Sequence, residues 1–278
     1  MPELPEVETT RRGIEPWVLN QPLLDWTVRN AALRWPVEIP EILRGVTIDV
    51  VERRAKYLLL RTRVGTLIVH LGMSGSLCVL PQGTPPRKHD HVDLTFAGDK
   101  LLRLNDPRRF GCVLFQPGDN PHLHWLLQDL GVEPLGNEFS GQYLHRLSRK
   151  RKVAVKNFIM DAKNVVGVGN IYAAEALFMA GIRPATAAGR ISLAVYESLA
   201  TAIREVLARA IREGGTTLRD FVGSDGQPGY FKQRLNVYGR QEKPCRICQT
   251  PLKLQILGQR STVYCPKCQS PQGFSRSK

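Results

Sequence analysis

The stretch YLLLRTRVGTLIVHLGMSGSLCVL, residues 57–80, decides the fold class of the larger part of the chain. It holds three short apolar runs, Tyr57–Arg61, Thr66–Leu71 and Ser76–Leu80, separated at Gly65 and Gly72. Leu- and β-branched-rich runs of this length, punctuated by turn residues, read as strands and are too short for helices. The pattern continues outward on both sides, through Val46–Val51 upstream and through Val92–Phe96, Leu101–Leu104 and Cys112–Phe115 downstream, with Gly83 and Gly98 between them. Strands this short and this frequent predict a sandwich or barrel over residues 1–131. One helix opens the chain: Pro5 suits an early helical position, acids fill the first turn, and Gly13 marks its expected end.

Past Glu133 the periodicity becomes helical. Val153–Lys163, Ile171–Ala180 and Ser192–Glu213 are the predicted helices; the second follows Asn170 and stops at Gly181 and Pro184, the third stops at Gly214-Gly215. Asp225–Gly229 reads as a loop, and Leu235–Gly239, Leu252–Leu257 and Thr262–Tyr264 as short strands of a small terminal module. The expected class is therefore α+β, divided into a β-sandwich with flanking helices (1–131), a helical domain (132–234), a zinc-bound β-hairpin module (235–269) and a tail (270–278).

The zinc expectation rests on Cys245-x2-Cys248 and Cys265-x2-Cys268. Four thiolates at this spacing close a tetrahedron around Zn²⁺ and leave no coordination position open, so the metal folds the module and does not react. Two disulfides are the competing reading, and a chain without an export signal argues against them. Cys78 and Cys112 fall in strand patterns and read as buried small hydrophobes. His89-Asp90-His91 resembles a metal pair but has no evident third ligand, and the adjacent Lys88 makes a phosphate contact the better reading.

Charge narrows the partner. The 278 residues carry 39 Lys and Arg against 25 Asp and Glu, a formal +14, with 42% hydrophobic residues, which is the composition of a folded protein. No apolar run is long enough to span a bilayer, so no membrane association is expected. The excess is concentrated in Arg146, Arg149, Lys150, Arg151, Lys152, Lys156 and Lys163, and again from Gln241 to the end, where seven basic residues face one acid. Such clustering fits a footprint on a nucleic-acid backbone, although a solvated helix face tolerates it too.

The first residues carry possible chemistry. Initiator Met is commonly removed ahead of a small residue, and Pro2 would then present a secondary amine titrating in the α-amino range of about 7.7–8.0. Amines attack electrophilic carbon, and proline's adduct is an iminium with no N–H proton to lose. Glu3 beside it could move protons. Taken alone, Met-Pro is an ordinary start, and Lys56 an ordinary strand-edge lysine.

Together these blocks resemble a known family. Pro-Glu-Leu-Pro-Glu-Val-Glu-Thr at 2–9, Arg-Ala-Lys-Tyr at 54–57, His-Leu-Gly-Met-Ser-Gly at 70–75, Lys-His-Asp-His at 88–91, Asp-Pro-Arg-Arg-Phe-Gly at 106–111, Val-Gly-Val-Gly-Asn-Ile-Tyr at 166–172, Gly-Gly-Thr-Thr-Leu at 214–218 and the four-cysteine tail are similar to the bacterial formamidopyrimidine-DNA glycosylases, in order and over essentially the whole chain. The resemblance implies a bifunctional glycosylase and lyase that excises oxidised purines from double-stranded DNA and nicks the strand by β,δ-elimination, working as a cytoplasmic monomer with one structural Zn²⁺. It implies Pro2 as nucleophile, Glu3 as acid/base partner, Lys56 as proton donor and phosphate contact, and Arg260, at a hairpin tip, as the residue assisting the final elimination. Met73, Arg108 and Phe110 would fill the space left by the everted nucleotide and hold the orphaned cytosine. His89, Arg151, Lys156 and Asn170 would grip the backbone, Asn170 within a helix–two-turns–helix element, where an N-cap role is the plainer reading. Arg219, in a lesion-recognition loop over 219–229, would help hold the everted base. Two departures stand out: the basic string Arg149, Arg151, Lys152 is not the lysine-rich one expected, and ten residues follow Cys268. Two other readings compete: an endonuclease VIII-like glycosylase for oxidised pyrimidines, which Leu4 and the Arg108/Phe110 pair disfavour, and a zinc-ribbon DNA-binding protein without catalysis.

Overall fold

A computed structural model describes residues 2–214 and 235–271. The chain divides into two units, residues 2–129 with 210–214, and residues 130–209 with 235–271.

In the first unit, helix α1 (Leu4–Val18) starts on a reciprocal capping box, in which the Glu3 N–H donates to Glu6 Oε2 at 2.8 Å. It runs through Gly13 and Pro16, beyond the predicted end, because Ile14 and Val18 continue the buried stripe begun by Leu4 and Val7. Nine strands follow: β1 (Pro22–Val28), β2 (Val46–Thr47), β3 (Val50–Arg54), β4 (Tyr57–Thr62), β5 (Gly65–His70), β6 (Ser76–Pro81), β7 (Asp90–Phe96), β8 (Lys100–Asn105) and β9 (Cys112–Pro117). They form two antiparallel sheets, ordered β2-β1-β7-β8-β6 and β3-β4-β5-β9. Leu58, Leu60, Leu67 and Val69 from one sheet and Leu23, Val92, Leu94, Leu102 and Leu104 from the other share a core with Val7 and Ile14 of α1. The sandwich predicted from the 57–80 stretch is thus present, with β1 as an added strand.

The second unit contains α2 (Gly141–Ser148), α3 (Val155–Met160), α4 (Asn170–Met179), most of α5 (Leu193–Arg212), and the hairpin β10 (Lys253–Leu257) and β11 (Arg260–Tyr264). Helix α2, absent from the sequence reading, is capped by Ser140, whose Oγ accepts from the Tyr143 N–H at 3.1 Å. Helix α3 is shorter than the predicted Val153–Lys163, since Asp161 Oδ1 takes the Lys163 N–H at 3.0 Å and turns the chain. The predicted strand Leu235–Gly239 is instead a turn. Its amides converge on the buried Glu175 carboxylate, which accepts from the N–H groups of Asn236, Val237 and Tyr238 at 2.8–3.0 Å and from Asn236 Nδ2 at 3.0 Å. With those donors taken, no ladder partner can use them.

Candidate active site and nucleic-acid interface

The opening residues and Lys56 are brought toward one end of the first unit. Pro2 and Glu3 are buried at the start of α1. Arg53 Nε meets Glu8 Oε2 at 3.2 Å, and Arg11 Nη1 donates to the Val51 carbonyl at 3.1 Å, so α1 runs antiparallel to β3. From Glu8 back to Glu3 the helix travels roughly 7.5 Å, and from Arg53 the strand runs one residue further, roughly 3 Å, before the Ala55–Lys56 turn. Both paths head for the same end. Lys56 itself is half-buried in a two-residue turn between β3 and β4, with Ala55 at φ 55, and is therefore a turn residue, not one along a strand edge.

The next turn over carries the predicted wedge. After β5, Gly72 at φ 67 turns the chain so tightly that a Cβ there would stand 2.5 Å from the Gly111 nitrogen and 2.6 Å from the Phe110 carbonyl carbon. Main chain thus lies against main chain, which places the Met73 turn beside the 106–111 loop. That loop is organised by Asp106, which is fully buried: Oδ2 accepts the Gly111 N–H at 2.7 Å and Oδ1 the Arg108 N–H at 3.3 Å. Phe110 is left 43% exposed with the Arg108 guanidinium carbon 5.0 Å from its ring centre. A large exposed aromatic under a cation is a poor core residue and a good stacking surface.

His70 underpins the arrangement. The Gly72 N–H donates to its Nδ1 at 3.0 Å, so the ring is neutral with its proton on Nε2. Burial, aided by the charges of Lys56 and Arg34, pushes its pKa down to about 4. His89 stands at φ 73 on a loop tied to the sheet: Arg103, buried, binds Asp93 bidentately at 2.8 Å and donates to the carbonyls of Thr84 and Pro85 at 3.0 and 3.1 Å. The Asp90 carboxylate accepts the Arg87 N–H at 2.6 Å, closing the turn that presents Lys88 and His89.

In the second unit the Gly169–Asn170 turn and the hairpin are joined by Lys156. Its ammonium is completely buried and donates to Asn170 Oδ1 at 2.5 Å, Thr262 Oγ1 at 2.7 Å and the Ser261 carbonyl at 3.1 Å. An ammonium has three protons. These bonds turn the Lys156 ammonium toward protein acceptors and tie the start of α4 to the hairpin. Asn170 is the first residue of α4, not its N-cap, which is Gly169; its Nδ2 donates to the Ser261 carbonyl at 3.2 Å. Arg260 lies where the sequence placed it, exposed after a two-residue Gly258–Gln259 turn with both φ near 60°. A Cβ on Gly258 would meet the Asn157 side-chain amide of α3, which packs against that turn. Arg151 is exposed on a chain held by its N–H to the Ser148 carbonyl at 2.9 Å. Arg219 and the 219–229 loop lie outside the described residues, as do Met1 and 272–278.

The four cysteine sulfurs lie within 4.8 Å of one another, with Cys245–Cys268 at 3.9 Å and Cys248–Cys265 at 3.5 Å. A tetrahedron with Zn–S of about 2.3 Å has edges of about 3.8 Å. The donor set fits zinc in charge, number and spacing.

Three family models match in order: the formamidopyrimidine-DNA glycosylase N-terminal domain over residues 1–113, its H2TH domain over 130–222, and the zinc finger found in FPG and IleRS over 242–271. The chain belongs to the formamidopyrimidine-DNA glycosylase family. The family's protein in Alcanivorax borkumensis is 61% identical over 97% of this chain and 100% of that one, and that of Magnetococcus marinus is 58% identical over 97% and 99%. Among solved structures, the MutM (Fpg) protein of Thermus thermophilus superposes with a TM-score of 0.87 at 37% identity, covering 96% of this chain and 98% of that one. Lactococcus lactis Fpg bound to abasic-site DNA gives 0.88 at 30%, covering 96% and 99%. A bare zinc-ribbon binding protein is thereby ruled out, since the glycosylase N-terminal domain is present. In this glycosylase the cysteine cluster is the structural Zn²⁺ site. Glu6, His70 and Asp106 were not singled out by sequence reasoning. Glu6 had a signal in its spacing of three from Glu3; Asp106 opens a quoted motif; His70 had none beyond its place in one.

Proposed function

We propose that this enzyme excises 8-oxoguanine and formamidopyrimidines from duplex DNA in base excision repair and then cuts the strand. The Pro2 amine, freed of Met1, attacks C1′ of the damaged nucleotide, the C–N bond to the base breaks, and an iminium joins protein to sugar. Glu3 exchanges protons with the opening sugar, Lys56 donates a proton during β-elimination, and Arg260 assists the δ step at a phosphate. Met73 and Phe110 occupy the vacated stack, while Arg108 donates to the acceptor edge of the orphaned cytosine. His89, Arg151 and Asn170 hold phosphates; Lys156 acts through Asn170 and the hairpin. Arg219 is assigned to the everted base. The enzyme is assigned to the cytoplasm, with the chromosome, as a monomer, and the four-part division at 131, 234 and 269 is kept as its functional anatomy.

The observation that carries this reading is the buried Pro2–Glu3 start of α1 running toward the Lys56 turn. Borohydride treatment during reaction with an 8-oxoguanine:cytosine duplex should trap a covalent adduct that peptide mapping places on Pro2. An adduct on another residue, or none with zinc-loaded protein, refutes it, and intact mass reports directly whether Met1 is removed.

A further inference from the structure

Beside the Arg108–Phe110 loop lies an open groove of about 560 Å³, lined by Ala32, Leu33, Arg34, Arg108, Arg109 and Phe110. The side formed by residues 32–34 is a built loop. Ala32 and Pro36 bridge across it, the N–H groups of Leu33 and Val37 both donate to the Ala31 carbonyl at 3.1 Å, and Asn30 Oδ1 accepts the Ala32 N–H at 2.9 Å. Leu33 anchors in the sandwich core while Arg34 beside it is exposed. The Arg34 N–H donates to the Gly111 carbonyl at 3.1 Å, which fastens this loop to the one that carries Arg108 and Phe110. Its guanidinium carbon lies 4.8 Å from the centre of the Trp35 ring, and Trp35 is braced edge-on by Trp125 at 4.9 Å. Stacking on a fixed indole holds the planar donor fork ready for use.

Three guanidinium groups therefore share one groove whose lining has no carboxylate. Among the described residues, the guanidiniums of Arg34 and Arg109 have no hydrogen-bonded or ion-paired partner. Clustered cations left without anions in a concave site raise the local potential, and the acceptors that match the arginine fork are phosphate oxygens. Arg108 and Phe110 have been assigned to the base opposite the lesion, so the groove beside them continues along the strand that bears that base. We infer that this groove binds the backbone of the undamaged strand, with Arg34 and Arg109 holding a phosphodiester adjacent to the orphaned nucleotide. The inference rests on the glycosylase reading and adds to it a grip on the strand that is not cut.

The test is a phosphate-neutralisation cycle. Duplexes containing a stable abasic analogue opposite cytosine are prepared with single methylphosphonates at each phosphate flanking the orphaned nucleotide, and at matching positions of the damaged strand. The zinc-loaded wild-type protein should lose about tenfold in affinity at one or two undamaged-strand positions, the value of one charge-assisted contact. Arg34→Met should lose about as much on the unmodified duplex, lose nothing further at those positions, and show a salt slope lower by about one. Equal losses for both proteins at every undamaged-strand position, or losses confined to the damaged strand, overturn the inference. Failure of the parent reading is distinct, because it abolishes borohydride trapping by the wild type, which an idle groove leaves intact.

Discussion

Replacing Lys156 by methionine tests how the second unit aims its arginine. The substitution keeps most of the buried volume and removes only the ammonium. The three acceptors left behind are the Asn170 amide oxygen, the Ser261 carbonyl and the Thr262 hydroxyl. The Ser261 carbonyl keeps its bond from Asn170 Nδ2, so two acceptors lose their donor, and at about 1 kcal/mol or more each the net destabilisation is about 2 kcal/mol. Because Ser261 and Thr262 follow Arg260 directly, the loss also frees the end of the hairpin. Urea unfolding of the zinc-loaded protein reads the stability, and nicking of a preformed abasic site reads the aim of Arg260. The expected result is a lower unfolding midpoint together with slower strand cleavage. Unfolding free energy within about 0.5 kcal/mol of the parent, with a salt slope of DNA binding lower by about one, would refute the reasoning and make Lys156 a direct phosphate ligand.

Three further outcomes follow from the geometry. Gly72→Ala forces a Cβ into the Gly111 and Phe110 main chain at a positive φ and should cost about 3 kcal/mol or more, with weaker discrimination of the base opposite the lesion; paired melting and single-turnover excision opposite each base check it, and an unaffected protein would show that the two turns yield easily. His70 is neutral when folded, with its pKa lowered to about 4, while unfolded chains protonate near 6.5, so its contribution is whole above pH 6.5 and is lost as pH falls toward 4, to a total of about 3 kcal/mol. His70→Asn should flatten that acid limb in pH-dependent unfolding, and an unchanged limb would remove His70 as its source. Chelating the zinc should unfold the hairpin, whose own core is limited to Leu252, Val263 and the cysteines packed on Ala174, Phe178 and Val237; hydrogen exchange over 244–269 reports it, and retained protection with full nicking would contradict the positioning role of the metal.

The sandwich was legible because its central strands bury both faces, so Leu58–Leu60 and Leu67–Val69 announce themselves as unbroken apolar runs. Strand β1 escaped notice because only Leu23 of its seven residues is buried, and it holds its place by pairing with β2 and β7. The cysteine spacing carried the zinc site outright. What the sequence hid are the long-range claims on polar groups. Glu175 lies 61 to 63 residues before the amides it gathers, and Lys156 sits in a basic string that looks solvent-facing, yet its acceptors at Ser261 and Thr262 are 105 and 106 residues away. Local patterning reports which faces are apolar; it has no term for a buried charge whose partners come from another part of the chain.

The contact between the Gly72 turn and the Gly111 strand entrance has a wider consequence. The Met73 turn and the loop that carries Arg108 and Phe110 stand on a shared footing, main chain against main chain, with no cushion of side chains between them to absorb a shift. Any change that tilts one tilts the other. On the proposed roles, a substitution at 73, 108 or 110 changes one contact at a time, whereas a change in the footing itself would move insertion and inspection as one.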